Sequence, residues 1–269
     1  MNDDLTGLLA RIRQNTERRT VNNNQAADED PLHDIADNTV TKSNALSRAY
    51  YRFGLVEKRI MEALISKLHP LRTDNQLDLI ELTAQEYSKA FSVSTQAAYR
   101  DMRNATQSLI RTVIRTEEHH GVNEITEFTV MSVAKYREKE GLIRCAFNPY
   151  IVPHLIGLRK KFSSYPLKQA VDFKSSYTWR FYELLASWAQ PKNKTGGRFA
   201  GWIDRQSVDE LREMLGVPQS YSWNKFDTQV LQVAASELKE KSGIALTFER
   251  IKTVTVSYTH LTLPTKRIV

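Results

Sequence analysis

The sequence predicts a helix-rich α+β chain in which one unit, a helix-turn-helix followed by a β-wing, is written twice in tandem. Two stretches, Thr83-Ala84-Gln85-Glu86 and Ser207-Val208-Asp209-Glu210, carry the capping-box pattern, in which a hydroxyl and a carboxylate three residues apart satisfy each other's backbone amides. Each opens a short amphipathic segment that breaks and is followed by a longer one, the helix-turn-helix order. Each longer segment then gives way to β-prone residues, as a wing requires. At 269 residues the chain has room for two domains of about 150 residues at most. Two unrelated α+β domains are the competing reading, because the repeat rests on order and capping rather than on residue identity.

The elements follow in chain order. Residues 1–42 carry eight acids against five bases, are rich in Asn, Asp and Thr from residue 15 onward, and show no sustained period, so they predict a flexible acidic arm. From Ser43 order is expected. Leu55, Ile60, Met61, Leu64, Ile65 and Leu68 recur at helical spacing until His69-Pro70 ends the run. Leu77 to Leu82 alternates as a short strand, the first capping box opens a helix to about Phe91, and Ser92-Val93-Ser94 breaks it. A second helix, about Thr95 to Arg115, has Tyr99, Met102, Leu109, Ile110 and Val113 on one face and Arg100, Arg103, Asn104 and Gln107 on the other. Val113 to Glu117, Ile125 to Tyr136 and Leu142 to Phe147 are β-prone, with a turn over Arg137 to Gly141. In the second half, Phe181, Leu184, Leu185 and Trp188 form a helical stripe ended by Pro191 and Gly196-Gly197, and Phe199 to Arg205 reads as a strand. The second capping box opens a helix that stops near Gly216-Val217-Pro218, a long helix runs from about Trp223 to Lys241, and Ile244 to Ile251 is a strand after Ser242-Gly243.

Composition bounds the function. A hydrophobic fraction of 41% supplies ordinary cores, and no apolar run approaches the ~18 residues of a membrane span, so a cytoplasmic protein without a membrane partner is expected. One cysteine, Cys145, excludes an internal disulfide and a multi-cysteine metal site, and no cofactor or metal is expected. Beyond residue 42 there are 33 bases against 23 acids, which points to a polyanionic partner, nucleic acid first.

The residues in this order resemble the plasmid replication initiator family, the iteron-binding Rep proteins of theta-replicating plasmids, across residues 43 to 252. The densest match is FNPYIVPHLIGLRKKFSSYPLKQAVDFKSSYTWRFYELLASWAQ, Phe147 to Gln190, which is similar to the family's junction between two winged-helix domains. Val208-Asp209-Glu210-Leu211-Arg212, Leu215-Gly216, Phe226 and Val230-Leu231 are similar to its second helix-turn-helix. The resemblance implies a first winged helix, residues 43–160, for DNA contact and dimerisation, and a second, residues 161–252, as the main DNA reader. It implies binding of repeated origin sequences as a monomer, of an inverted repeat at its own promoter as an autorepressing dimer, and recruitment of host replication proteins such as a helicase and an initiator. After Ile251-Lys252 the family pattern calls for a turn and a returning wing strand. Residues 253–269 depart from it and read as a non-native or truncated tail, although Thr253 to Tyr258 alternates as a strand would.

A helix-turn-helix presents the N-terminal part of its second helix to the major groove, so exposed polar residues there are the candidate readers. In the second unit these are Ser220, Ser222, Asn224, Lys225 and Thr228. Asn224 is suited to bidentate pairing with adenine and Lys225 to guanine or a phosphate, while Ser222 equally suits an N-cap. In the first unit they are Gln96, Arg100, Arg103 and Asn104, the two arginines being one helical turn apart and equally suited to ion pairs with nearby acids. Between residues 159 and 180, Arg159, Lys160, Lys161, Lys168, Lys174 and Arg180 face one acid, Asp172, a run suited to the DNA backbone or to a solvated surface. Trp179, Trp188 and Trp202 are expected in cores, with Trp223 at the start of a recognition helix. Two other classes compete: a winged-helix transcriptional regulator, and a rolling-circle initiator that nicks DNA through a tyrosine beside a metal. The latter needs an alternating histidine pair, whereas His119 and His120 are adjacent and point to opposite faces of a strand.

Overall fold

The computed structural model describes residues 33–69, 71, 79–119, 123–188, 194–195, 198–199, 201–252 and 259–266. Asp34 caps a 3-10 turn, Ile35–Asp37, by accepting from the Ala36 amide, and the chain enters β1 (Thr39–Ser43). Residues 33–42 are therefore not part of the flexible arm expected over residues 1–42, and the rest of that stretch lies outside the described residues. β1 pairs antiparallel with β7 (Phe162–Pro166), a partner more than a hundred residues away that local pattern does not reveal. Ser43 then caps α1 (Asn44–Arg48).

The first unit is α2 (Leu55–Ser66), β2 (Ile80–Thr83), α3 (Ala84–Phe91), α4 (Thr95–Leu109), β3 (Val113–His119), β4 (Asn123–Thr129), β5 (Met131–Arg137) and β6 (Leu142–Phe147). The capping box is formed on both sides, with the Thr83 amide donating to Glu86 Oε2 at 2.7 Å and the Glu86 amide to Thr83 Oγ1 at 3.2 Å. Ser92 takes a left-handed conformation (φ 50°), which turns the chain out of α3, and Ser94 caps α4. α4 stops at Leu109, six residues earlier than its expected end, because Val113 onward is drawn into the β3–β4 hairpin. The stretch Ile125 to Tyr136 is likewise two strands that part at Val130 rather than one. β4 completes the hairpin, and β5 joins a three-stranded sheet in the order β2-β6-β5. This sheet is the wing of the first unit. Its turn ends at Gly141 (φ +57°), where a Cβ would lie 2.6 Å from the Tyr99 ring of α4, so only glycine lets the wing sit this close to the helix.

The second unit comprises α5 (Ser176–Trp188), the short strands β8 (Lys194–Thr195) and β9 (Arg198–Phe199), β10 (Gly201–Ser207), α6 (Val208–Met214), α7 (Trp223–Phe226), a π-helical segment Asp227–Leu231, α8 (Gln232–Ser242), β11 (Ala245–Leu246), β12 (Glu249–Lys252) and β13 (Thr259–Lys266). The second capping box also forms, between Ser207 and Glu210. α7, the π segment and α8 run end to end as the predicted long helix, ended by Gly243 in a left-handed cap. The expected strand after it is two short ones. β13 pairs antiparallel with β10, β11 and β12, so residues read as a tail that does not continue the fold supply the strand that joins this sheet. Residues 253–258, which alternate as a strand would, lie outside the described residues, as do His120, Pro191, Gly196 and Gly197. No helix among the described residues is long and apolar enough to cross a membrane.

One continuous core joins the two halves. Ile60, Met61 and Leu64 of α2, Ala98 and Met102 of α4, Trp179, Phe181 and Leu184 of α5, and Phe226 and Val230 of the long helix are all fully buried. Inside this core lies a charged cluster. Lys42, Lys58, Glu62, Arg180 and Glu183 are each at most 6% exposed. Glu183 accepts from Lys42, from Lys58 at 2.6 Å and from Arg180 at 2.8 Å, while Glu62 accepts from Lys42 at 2.9 Å and from Lys58 at 2.8 Å. Tyr165 and Tyr51 complete the network by donating to the two carboxylates. Burial pushes the Glu183 carboxyl up, but Lys42, Lys58 and Arg180 outweigh it and hold the group well below the usual carboxylate range.

Candidate nucleic-acid interface

The second helix-turn-helix brings its candidate readers together at one helix start. Ser222 caps α7, its hydroxyl accepting from the Lys225 amide at 3.3 Å, so the capping role anticipated for it is realised. Ser220, Ser222, Asn224, Lys225 and Thr228 are all exposed. The Thr228 hydroxyl donates to the Asn224 backbone carbonyl at 2.8 Å. The Lys225 ammonium sits 4.0 Å from the centre of the Tyr221 ring, a cation–π contact of about 0.5–1 kcal/mol at an exposed site. No ion pair to Lys225 is present among the described residues. Tyr221 was not among the candidates; an aromatic residue four positions before a recognition-helix lysine was the available signal. Trp223 is half-buried, edge-on to the Phe226 ring at 5.9 Å, so it anchors the helix start against the core.

The first helix-turn-helix exposes Gln96, Arg100, Arg103 and Asn104 on one face of α4. Both arginines have acidic neighbours. Arg100 lies 3.5 Å from Asp101, and Arg103 pairs with Glu138 of the wing turn rather than with an acid of its own helix. The same turn holds a second pair, Arg137 with Glu140 at 3.0 Å. All these groups are largely exposed except Asp101, so the pairs are weak and open to exchange with phosphates.

The basic run between residues 159 and 180 divides. Arg159, Lys160 and Lys161 are exposed in the turn before β7, with Lys161 at φ 53° and its carbonyl accepting from the Asn44 amide at 2.7 Å. Lys168 is exposed but lies 3.2 Å from Asp37. Lys174 is exposed beside the start of α5, where its backbone amide donates to Glu237 at 2.5 Å. Arg180 is not part of the surface. Its side chain is 3% exposed because its fork finds two backbone carbonyls, a phenol and a carboxylate inside the protein. Of the tryptophans, Trp179 is in the core as expected, and Trp188 is half-buried under the Arg48 guanidinium at 5.2 Å.

Two helix-turn-helix units, each with a wing and an exposed polar recognition face, define a tandem winged-helix protein. Residues 39–186 match the family model described as "Initiator Replication protein, WH1" and residues 207–257 the one described as "Initiator Rep protein, WH2". The chain belongs to the replication initiator protein family. Among solved structures it is similar to the Pi initiator protein in complex with iteron DNA, with a TM-score of 0.64 and 18% identity over 86% of this chain and 97% of that one. It also matches the WH1 domain of MSBI1.176, a replication protein isolated from a multiple sclerosis patient, with a TM-score of 0.32 and 20% identity over 38% of this chain and 77% of that one. An uncharacterized 27.6 kDa protein of Escherichia coli is 21% identical over 214 residues, which are 76% of this chain and 86% of that protein.

Proposed function

We propose that this chain initiates plasmid replication by binding repeated origin sequences through both of its recognition helices, with the second as the main reader. The observation that carries this is the presence of two exposed recognition faces of different readiness on one connected core. Lys225 and Asn224 stand at a capped helix start with the lysine over Tyr221, whereas Arg100 and Arg103 are held beside Asp101 and Glu138. The first face must exchange ion pairs before it engages a phosphate or a guanine, so it contributes less sequence discrimination. Lys160 and Lys161 extend the positive surface toward the DNA backbone. The Pi initiator protein, whose fold this chain shares, was solved with iteron DNA, which favours iterons as the repeated sequence.

Self-association at an inverted repeat with autorepression, and recruitment of a host helicase and initiator, belong to the same proposal through family membership. The protein acts by binding and opening DNA in the cytoplasm rather than by catalysis. The test is selection from a randomised duplex library at moderate salt, with sequencing of the bound fraction and inspection for nicked strands. Enrichment of a motif of about 20 base pairs covering two successive major-groove faces, without nicks, is the expected result. Salt-sensitive binding with no enriched motif overturns sequence-specific initiation, and nicking overturns the non-catalytic reading.

A further inference from the structure

Arg180 ties the second helix-turn-helix to the first half of the molecule. Its Nε and Nη2 both donate to the Met214 carbonyl, at 3.1 and 2.8 Å, and Met214 is the last residue of α6. Nη2 also donates to the Ala49 carbonyl at 2.9 Å, and Nη1 to the Tyr51 hydroxyl at 2.5 Å and to Glu183 at 2.8 Å. The guanidinium carbon sits over the Tyr51 ring, 4.0 Å from its centre. One planar group therefore joins the end of the helix that precedes the second reader to the Ala49 carbonyl and the Tyr51 side chain.

Two further contacts fall on the same turn of chain. Gly216 (φ +68°) is seated so closely that a Cβ would lie 2.7 Å from the Tyr51 carbonyl oxygen. Glu213 accepts from Arg115 of β3 at 2.7 Å, and Arg115 rests 4.5 Å over the Tyr50 ring. Residues 213–216 are thus held against Tyr50, Tyr51 and β3, while the recognition face itself is left clear. Domains joined by a linker move relative to one another by default. A buried fork that must satisfy two carbonyls at once permits little sliding or rotation, and a lysine in its place provides one point charge without the fixed geometry.

We propose that Arg180 is the ruler that fixes the distance and rotation between the two recognition helices, and with them the spacing between the two DNA subsites the protein accepts. The inference rests on the reading that both helices engage one duplex. B-DNA turns once in about 10–10.5 base pairs, so every inserted base pair rotates the second subsite by about a tenth of a turn as well as displacing it. A rigid pair of readers loses its second set of contacts, and a loosened pair follows the rotation.

The experiment measures full-length protein on the selected site and on versions with one or two base pairs inserted between its two contacted regions. Wild type is expected to lose affinity about tenfold or more at two inserted base pairs, within the 1–3 kcal/mol that one bidentate base contact contributes. Arg180→Lys is expected to lose less than about threefold across the same series and to bind unrelated duplex as wild type does, because phosphate contacts are untouched. Glu213→Gln, at a partly exposed position, is expected to give an intermediate profile, and it decides the question where Arg180→Lys does not fold. A wild-type spacing profile in the folded variants overturns the ruler, as does a loss that is equal at every spacing. Wild-type protein indifferent to spacing overturns the two-reader reading and the ruler with it.

Discussion

Replacing Glu183 by glutamine tests how the buried charges hold the fold. The two Glu183 oxygens accept from four donors, Lys42 and Lys58 at 2.6 Å on Oε1 and Arg180 at 2.8 Å and Tyr51 at 3.2 Å on Oε2, and the Tyr165 hydroxyl, whose hydrogen goes to Glu62 at 3.0 Å, lies 3.3 Å from Oε1. Three cations face two carboxylates in this cluster, and Glu183→Gln leaves them facing Glu62 alone while placing an amide NH2 among ammonium and guanidinium groups that cannot accept. Breaking a buried pair from one side costs about 3–5 kcal/mol, a large share of the roughly 5–15 kcal/mol that stabilises a typical domain. The matched control is Asp37→Asn, whose pair with Lys168 is more than half exposed on both sides; its loss is expected to stay below about 1 kcal/mol. Urea unfolding followed by tryptophan fluorescence suits the purpose, because Trp179 is fully buried and donates to Tyr165 of the same network at 3.1 Å. At unchanged m, a midpoint shift corresponding to less than about 1 kcal/mol, or parity with Asp37→Asn, refutes the argument. The pH dependence has a definite sign. Because the folded Glu183 carboxyl is held below its ordinary value, its contribution is complete above the unfolded value of about 4.3 and is lost as pH falls through the folded one. The stability gap between wild type and Glu183→Gln is therefore flat near neutrality and closes in acid.

Asn224→Ala and Lys225→Ala should each cost about 1–3 kcal/mol at one base position of the selected site, measured by competition with single-base variants; unchanged affinity and preference in both removes α7 as a reader. Lys161→Ala should weaken all duplexes alike and make the slope of log affinity against log salt shallower by about one unit, whereas a loss confined to one sequence contradicts a phosphate contact. Cys145 is fully buried, and burial pushes its thiol up to about 12, so native protein should resist thiol reagents at neutral pH and react only on unfolding. Rapid labelling of native protein contradicts the packing of β6.

What was legible in the sequence was local. The Thr83–Glu86 and Ser207–Glu210 boxes, the Ser222 cap and the stops at Ser92 and Gly243 each involve groups a few residues apart, and each forms. What was not legible depends on partners distant along the chain. Lys42 read as part of a solvated arm because its β1 pairs with Phe162–Pro166 and its ammonium reaches Glu183. Lys58 and Glu62, four residues apart on a helix, have the spacing of an ordinary surface pair, and Lys42 of β1 and Glu183 of α5 closing over them make them core. Arg180 was misread for the same reason. In a run of five other bases it has the signature of a phosphate contact, and its neighbours Ala49 and Met214 are 131 and 34 residues away.

The cluster and the ruler share Arg180, so stability and DNA spacing are coupled through one side chain. Glu183 fixes the guanidinium from one side while Met214 and Ala49 accept from the other. An apolar seam between α2 and α5 would bury the same surface, often with equal or greater stability, but would not dictate where α6 ends relative to Tyr51. On this reasoning the charges are retained for geometry rather than for net stability. Glu183→Gln, examined in buffer where it remains folded, should therefore widen the accepted DNA spacing as Arg180→Lys does, though less, because the Met214 and Ala49 carbonyls still hold the fork. Asp37→Asn should leave the spacing profile at wild type. A folded Glu183→Gln protein that is destabilised yet keeps the full wild-type spacing preference would separate the two roles, and would leave the hydrogen bonds to the backbone carbonyls as the whole of what Arg180 contributes to the ruler.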